Sequence, residues 1–173
     1  EENKEFPLCP YGCAKLAIER YMHFYNQVYG LNFNILRYAN VYGPKQNSKG
    51  EAGVISIFLD KMLRGEQPTI FGEGKATRDY VYVGDVVKAN LLAWEKGQGI
   101  YNVSTCKETS VIELFSMLNS FFGNKFSRNH VEGKQGEIAR ACLSNDKLRA
   151  LGWMPEISLE NGIRRTYDWF KNN

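Results

Sequence analysis

Strand-like segments alternate with longer helical segments along most of the chain. The first helical segment, residues 11–29, repeats apolar residues at steps of three and four and ends at Gly30. A strand-like run at 33–38 follows it. Because this alternation is typical of sheets whose neighbouring strands run parallel, we predict an α/β architecture with parallel pairing in part of the sheet.

The remaining segments continue the same pattern. After a loop at 39–53, further strands are predicted at 69–71, 80–83 and 100–103, with a turn at 72–74. Helices are predicted at 54–64 and from an Asp85 N-cap to Trp94. A third helix is opened by a Ser110–Glu113 capping box and closed by Gly123, and it is followed by a short helix at 145–151 and a last helix from Ser158.

Size, charge and apolar content exclude several classes of protein. The 173 residues suffice for one sizeable core, and a net charge of +3 is too small and dispersed for a nucleic-acid surface. No apolar run approaches the roughly 20 residues that span a bilayer, so we expect no membrane segment and a cytoplasmic protein. The spacing of the cysteines and histidines predicts free thiols and no metal site.

Tyr11 and Lys15 lie four residues apart on the first predicted helix, on one face. An ammonium beside a phenol stabilises the phenolate, which lowers the tyrosine pKa and makes the phenol a usable general acid or base. Taken alone, the pair also fits an ordinary surface contact.

Three separated motifs give that pair a context. They are PYGCAK at 10–15, LRYANVYGP at 36–44 and IFGEGKATRDYVYVGDV at 70–86. In this order and spacing they resemble the extended short-chain dehydrogenase/reductase family, within it the UDP-glucose 4-epimerase and dTDP-glucose 4,6-dehydratase group. The resemblance continues through YNVS at 101–104, GEI at 136–138 and LGWMP at 151–155.

The resemblance implies NAD as cofactor and assigns residues around the nicotinamide. Tyr11 would be the catalytic acid/base that takes the proton of a sugar hydroxyl. Lys15 would bind the nicotinamide ribose, and Tyr38 would lie beside the nicotinamide pocket. We expect Tyr11 and Lys15 to border a cavity that reaches toward Arg78.

The resemblance also implies a UDP- or dTDP-hexose as substrate. Asn40 would contact the diphosphate region, Phe71 would border the base, Arg78 would bind the pyrophosphate and Glu137 would accept a hydrogen bond from the ribose. Three of these residues also have a simpler interpretation: Arg78 in a local ion pair with Asp79, Phe71 as a core aromatic and Asn40 as a turn former.

The family's fold opens with a Gly-rich strand–turn–helix that receives the dinucleotide pyrophosphate, and no such run precedes Tyr11. We therefore expect the C-terminal part of a Rossmann-like NAD-binding fold plus the small α/β substrate-binding domain, without the N-terminal βαβ unit. Residues 1–43 would end the dinucleotide-binding domain. Residues 44–173 would mainly form the sugar-nucleotide-binding domain, with 80–104 returning partly to the Rossmann sheet.

The expected activity of the full-length parent is NAD-dependent C4 epimerisation of a nucleotide sugar, with this fragment inactive by itself. A dTDP-glucose 4,6-dehydratase type is the alternative within the same group. The resemblance also places the Tyr11 helix at a homodimer interface. A non-catalytic nucleotide-sugar-binding or interaction module, with Tyr11 and Lys15 vestigial, remains open.

Overall fold

The computed structural model describes residues 1, 5–7, 9–50, 52–133 and 138–173. The helices are α1 (Pro10–Tyr29), α2 (Val54–Leu63), α3 (Val83–Lys96), α4 (Val111–Ser120), α5 (Asp146–Ala150) and α6 (Leu159–Asn172). The strands are β1 (Asn34–Tyr38), β2 (Asn40–Tyr42), β3 (Thr69–Phe71), β4 (Thr77–Tyr82), β5 (Gly99–Val103), β6 (Glu108–Ser110), β7 (Asn129–Val131) and β8 (Arg140–Ala141). The predicted α/β class is confirmed.

Helix α1 begins and ends where its sequence predicts. Pro10 occupies the first turn, where its missing N–H costs no helical hydrogen bond. Gly30 ends the helix in the left-handed conformation, with a φ of 67°, and donates its N–H to the carbonyl of Asn26. Local chemistry therefore fixes the length of the helix that carries Tyr11.

Strands β1 and β5 form a parallel pair, with Asn34 opposite Gly99 and Tyr38 opposite Val103. Helix α3 packs on this pair, and Asn34 donates its side-chain amide to the Ala93 carbonyl at 2.8 Å. The buried core here comprises Val81, Val86, Ala89, Tyr101, Val103, Leu148 and Trp153. Tyr38 thus stands at the carboxyl end of a parallel strand, where ligands of open α/β sheets bind.

Strand β4 is the centre of the second sheet. Its first half pairs antiparallel with β6 and parallel with β8, and its second half pairs parallel with β2. Helices α2, α4 and α6 contact one another or β4 beside this sheet. The core between them comprises Tyr42, Ile55, Phe58, Leu59, Met62, Ile70, Tyr80, Leu114, Phe115, Leu118, Phe126 and Ile163. Strands β3 and β7 form a separate parallel pair.

The capping box predicted for α4 is confirmed. Ser110 Oγ accepts from the Glu113 N–H at 3.2 Å, and Glu113 Oε2 accepts from the Ser110 N–H at 2.8 Å. Leu114 and Leu118 of this helix are fully buried, and Phe121, its C-cap, is partly buried. Gly123 follows the helix with a φ of 66°.

The predicted loop after residue 38 is wrong in its first part, which forms β2. Asn40 lies opposite Tyr80 and Tyr42 opposite Tyr82 in a parallel pair. Nearby Gly and Pro residues suggested a loop, but pairing with a strand 40 residues further along the chain holds this stretch extended. Strands β6, β7 and β8 were missed too, since each has only two or three residues.

Asp85 is not the N-cap of α3 as predicted. The helix begins at Val83, so Asp85 lies in its first turn. Its buried carboxylate accepts the backbone N–H groups of Glu156 and Ile157, at 3.2 and 3.0 Å. Asp85 therefore anchors the segment that leads into α6.

Two further findings bear on the expected organisation. In the described ranges, none of the helices has the length and apolar character needed to cross a membrane. Strand β4 contributes to both buried clusters, with Val81 in the cluster beside β1 and β5 and Tyr80 in the other. The proposed domain boundary at residue 43 stays a prediction.

Candidate active site

Tyr11 and Lys15 are adjacent on α1. The Lys15 Nζ lies 5.3 Å from the centroid of the Tyr11 ring, so the ammonium is within the range of a cation–π contact. This is the stacking that their four-residue spacing predicts. A phenol and a positive charge are thereby held together one turn into the helix.

The described residues do not enclose this pair. Tyr11 is 63% exposed, and none of the described residues of α1 is buried. Arg78 lies in β4, whereas Tyr11 belongs to the helix that leads to β1. The expected cavity from Tyr11 to Arg78 is therefore not closed around Tyr11 by this part of the chain.

Tyr38 has a defined orientation at the end of β1. Its side chain is 45% exposed, and its hydroxyl donates to Asn90 Oδ1 at 2.9 Å. The Asn90 amide is itself fixed, because its Nδ2 donates to the Val86 carbonyl at 2.8 Å. Helix α3 thus holds Tyr38 at the carboxyl edge of the strand.

Asn40 and Phe71 both lie on strands with their side chains accessible. Asn40 is exposed at the start of β2, so its interpretation as a turn former is wrong. Phe71 ends β3 and is 41% exposed, so it is not a core aromatic. Both side chains are therefore at least partly accessible to solvent.

Arg78 is half-buried in the first half of β4, which is paired on both sides. It lies opposite Thr109 of β6 and Ala141 of β8. Its Nη1 donates to the Thr77 carbonyl at 2.8 Å and to the Ile138 carbonyl at 2.6 Å. The carbonyls of Thr77 in β4 and of Ile138 before β8 therefore orient the guanidinium.

Glu137 lies outside the described residues. The nearest described residue after it is Ile138, whose carbonyl accepts from Arg78.

Asp79 is a site residue that the sequence did not reveal. It is 1% exposed, and its Oδ1 accepts from the N–H and hydroxyl of Thr105, at 2.9 and 2.7 Å. Its Oδ2 accepts from the Cys106 N–H at 2.9 Å. Side chains alternate along a strand, so Asp79 points away from Arg78 and organises the loop after β5. An Asp next to an Arg gives no sequence signal for this role.

The same loop holds Cys106 in the left-handed region, with a φ of 58°, which residues other than glycine seldom adopt. The Asp79 hydrogen bond to its N–H helps to maintain that conformation. Burial, followed by the Asp79 charge, raises the pKa of the neighbouring Cys142 thiol.

An ion pair joins the two strands that adjoin β4 next to Arg78. Arg140 of β8 contacts Glu108 of β6 at 2.6 Å, and the Thr77 hydroxyl donates to Glu108 at 2.6 Å. The pKa of Glu108 is lowered, mainly by the Arg140 hydrogen bond. Arg140 and Thr77 therefore stabilise the anionic form of Glu108.

Among the described stretches of the chain, no group of three or more His, Cys, Asp or Glu side chains is arranged to hold a metal ion.

Curated relatives match nearly the whole chain. A Methanocaldococcus jannaschii protein with a provisional UDP-glucose 4-epimerase name is 51% identical over 96% of this chain and 55% of its own length. Human dTDP-D-glucose 4,6-dehydratase is 30% identical over the full chain and 50% of its own length. The chain thus spans about half the length of the curated relatives it matches.

Solved structures give the same result for the fold. The UDP-glucose 4-epimerase of Thermotoga maritima with UDP-glucose has a TM-score of 0.94 at 42% identity, over 99% of this chain and 60% of its own. The Thermus thermophilus UDP-glucose 4-epimerase complex with NAD has a TM-score of 0.89 at 38% identity, over 99% of this chain and 58% of its own. The likeness confirms the Rossmann-like fold class.

The sequence model of the NAD dependent epimerase/dehydratase family matches residues 1–104, which is more than half of the chain. Those residues include the Tyr11–Lys15 pair, Tyr38, Asn40, Phe71 and Arg78. The chain therefore belongs to the NAD-dependent epimerase/dehydratase family.

Proposed function

We propose that this chain is the C-terminal part of an NAD-dependent enzyme that inverts C4 of UDP-glucose. The observation that carries the proposal is the Tyr11–Lys15 pair, a phenol with an ammonium 5.3 Å from its ring at the start of α1. Family membership and the likeness to UDP-glucose 4-epimerases support it. Because relatives are about twice as long as this chain, the missing enclosure of Tyr11 is supplied by residues outside it.

NAD fits the residues that stand at the carboxyl edge of β1. Tyr38 has an exposed ring held by Asn90, and Lys15 offers an unburied ammonium for the nicotinamide ribose. When bound, NAD supplies a hydride acceptor that later returns the hydride. The Tyr11 phenolate accepts the proton of the sugar C4 hydroxyl as C4 is oxidised, and the resulting phenol returns that proton to the C4 carbonyl oxygen as C4 is reduced from the opposite face.

The nucleotide diphosphate is bound by the second sheet. Arg78 binds the pyrophosphate, since the fork of a guanidinium matches phosphate oxygens and its carbonyl contacts fix it in place. Asn40 contacts the diphosphate region and Phe71 borders the base, both with accessible side chains. Glu137 is assigned to the ribose on its family position alone.

The dehydratase alternative is weaker. The dTDP-D-glucose 4,6-dehydratase relative is 30% identical, against 51% for the UDP-glucose 4-epimerase relative. Incubating the full-length protein with UDP-glucose, UDP-N-acetylglucosamine and dTDP-glucose separates the two. C4 inversion of a UDP-sugar is expected, and loss of water from dTDP-glucose would establish the dehydratase instead.

The decisive variant is Tyr11→Phe in the full-length protein. We expect kcat to fall by about 100-fold or more, because a positioned proton donor and acceptor is lost while the ring is kept. Tyr21→Phe is the matched control, since it removes a hydroxyl that is 66% exposed from the same helix. NMR of the sugar anomeric proton measures the turnover.

The outcomes of that comparison divide the candidate functions. Turnover by Tyr11→Phe at the unchanged rate removes Tyr11 from the mechanism. No turnover by the parental protein, with nucleotide-sugar binding unaffected by Tyr11→Phe, would support the non-catalytic module.

We also infer that the full-length protein is a homodimer joined through α1. The helix presents apolar and aromatic side chains that are about half exposed or more. They are Ile18, Tyr21, Phe24, Tyr25, Val28 and Tyr29. Such a contiguous apolar surface is characteristic of an interface.

A further inference from the structure

The side chain of Arg37 in β1 binds two glutamates, one before Tyr11 in the sequence and one after it. Its Nε and Nη2 donate to the two carboxylate oxygens of Glu19, at 2.9 and 2.5 Å. Its Nη2 also donates to Glu5 at 2.8 Å. Glu5 precedes Tyr11 by six residues and Glu19 follows it by eight, so one guanidinium holds the chain before and after the candidate catalytic residue.

The geometry of the Glu19 contact fixes orientation as well as distance. Two parallel N–H to oxygen bonds between a planar guanidinium and a planar carboxylate allow little rotation. The side chains of Arg37 and Glu19 are 22% and 14% exposed, so water screens this pair less than a surface pair. The pKa of Arg37 is raised, chiefly by the Glu19 hydrogen bond.

In the described part of the chain, α1 is also joined to residues outside it by the Arg20–Glu5 ion pair at 3.2 Å and by an aromatic contact. None of its described residues is buried. The His23 ring meets the edge of Phe33 at a centroid distance of 5.0 Å, near the opposite end of the helix from Tyr11. With so little apolar burial in this chain, the bidentate pair is its most directional link between α1 and β1.

The spacing along α1 connects this link to the candidate dyad. Glu19 lies four residues after Lys15 and eight after Tyr11, so all three share one side of the helix. Arg37 lies directly before Tyr38 on β1. The ion pair therefore determines how Tyr11 and Lys15 stand relative to Tyr38.

We propose that Arg37 and Glu19 are positioning residues, which set the rotation and axial position of α1 on β1 and thereby aim Tyr11 and Lys15 at the reacting sugar. This inference rests on the proposed function for its kinetic consequence. Its structural part, the restraint of α1, holds for whatever ligand the site binds.

Arg37→Lys in the full-length protein tests the role. Lysine keeps the positive charge and removes the fork, so the charge near Glu19 stays while the orientation is lost. We expect kcat per folded molecule to fall by roughly tenfold to 100-fold, since small misplacements of catalytic groups have effects of this size. The KM for UDP-glucose should change little, because the nucleotide is bound mainly by the second sheet.

Arg64→Lys is the matched control. Arg64 also contacts two carboxylates, Asp60 at 2.6 Å and Glu66 at 3.2 Å, but its side chain is 55% exposed at the C-cap of α2. The control should keep both kcat and KM. A double variant that exchanges the charges, Arg37→Glu with Glu19→Arg, should recover part of the kcat that either single variant loses.

Amide hydrogen exchange of the same full-length proteins separates this inference from the proposed function. The backbone amides of residues 10–20 should exchange faster in Arg37→Lys than in the parental protein, whether or not the protein is an epimerase. In Arg64→Lys their exchange rates should equal those of the parental protein. Unchanged exchange in Arg37→Lys would overturn the inference. Loss of thermal stability with an unaltered kcat per folded molecule would overturn it as well, because a purely structural contact acts in that way.

Discussion

At the scale of single residues, two buried aspartates hold the loops beside the candidate site. Asp79 collects three hydrogen bonds from Thr105 and Cys106. Asp85 collects two from Glu156 and Ile157. Donors offset the free-energy cost of burying a carboxylate, so each aspartate depends on the backbone N–H groups of the loop that it organises.

Replacing Asp79 tests this dependence. Asp79→Asn keeps one acceptor oxygen for Thr105 but places an amide N–H₂ against the Cys106 N–H, so we expect the free energy of unfolding to fall by about 2 kcal/mol. Asp60→Asn is the control, because its surface pair with Arg64 should contribute less than about 1 kcal/mol. Urea denaturation of the full-length variants measures both changes, and equal effects would contradict the role assigned to Asp79.

At the scale of elements, α4 owes its start to a reciprocal cap. Ser110 and Glu113 satisfy each other's backbone N–H groups. We expect Ser110→Ala to lower the free energy of unfolding by about 1 kcal/mol. Ser116→Ala is the control in the same helix, since the Ser116 hydroxyl bonds only to the carbonyl of Ile112 within the helix. Urea denaturation at neutral pH distinguishes them.

The cap should also depend on pH. Hydrogen bonds from the Ser110 side chain and then its backbone lower the pKa of Glu113. A carboxyl whose pKa is lower in the folded state stabilises the fold above its unfolded pKa, and this contribution is lost as the pH falls through the folded pKa. The effect of Ser110→Ala should therefore shrink in acid, and an undiminished effect would show that the Glu113 charge is not involved.

At the scale of the whole molecule, the exposed face of α1 sets the expected association state. Phe24→Glu in the full-length protein would place an unpaired charge in the proposed dimer interface. Such a charge costs several kcal/mol, so we expect the dimer dissociation constant to rise about 100-fold or more. Met154→Glu is the control, because Met154 is 58% exposed outside α1. Sedimentation velocity measures the dissociation constant, and a value for Phe24→Glu equal to that of the parental protein would contradict a dimer joined through α1.

Local chemistry made the main elements predictable. Helix α1 begins at Pro10 and ends before Gly30, and α4 begins after the Ser110 cap. These limits were predictable because caps and left-handed glycines act within one helical turn. The four-residue spacing of Tyr11 and Lys15 similarly predicts their contact. Short strands such as β2 were missed, since only a partner strand stabilises three extended residues.

The sequence alone determined the α/β class, the long helices and the residues that carry the family motifs. Tertiary structure decided which of those residues are restrained and by what. Arg37 meets Glu19 across 18 positions of the chain, and Asp79 meets Thr105 across 26. Contacts at such separations depend on how sheets and helices pack, because no periodicity or cap extends that far. The buried aspartate and the guanidinium that restrains α1 are consequently properties of the folded chain.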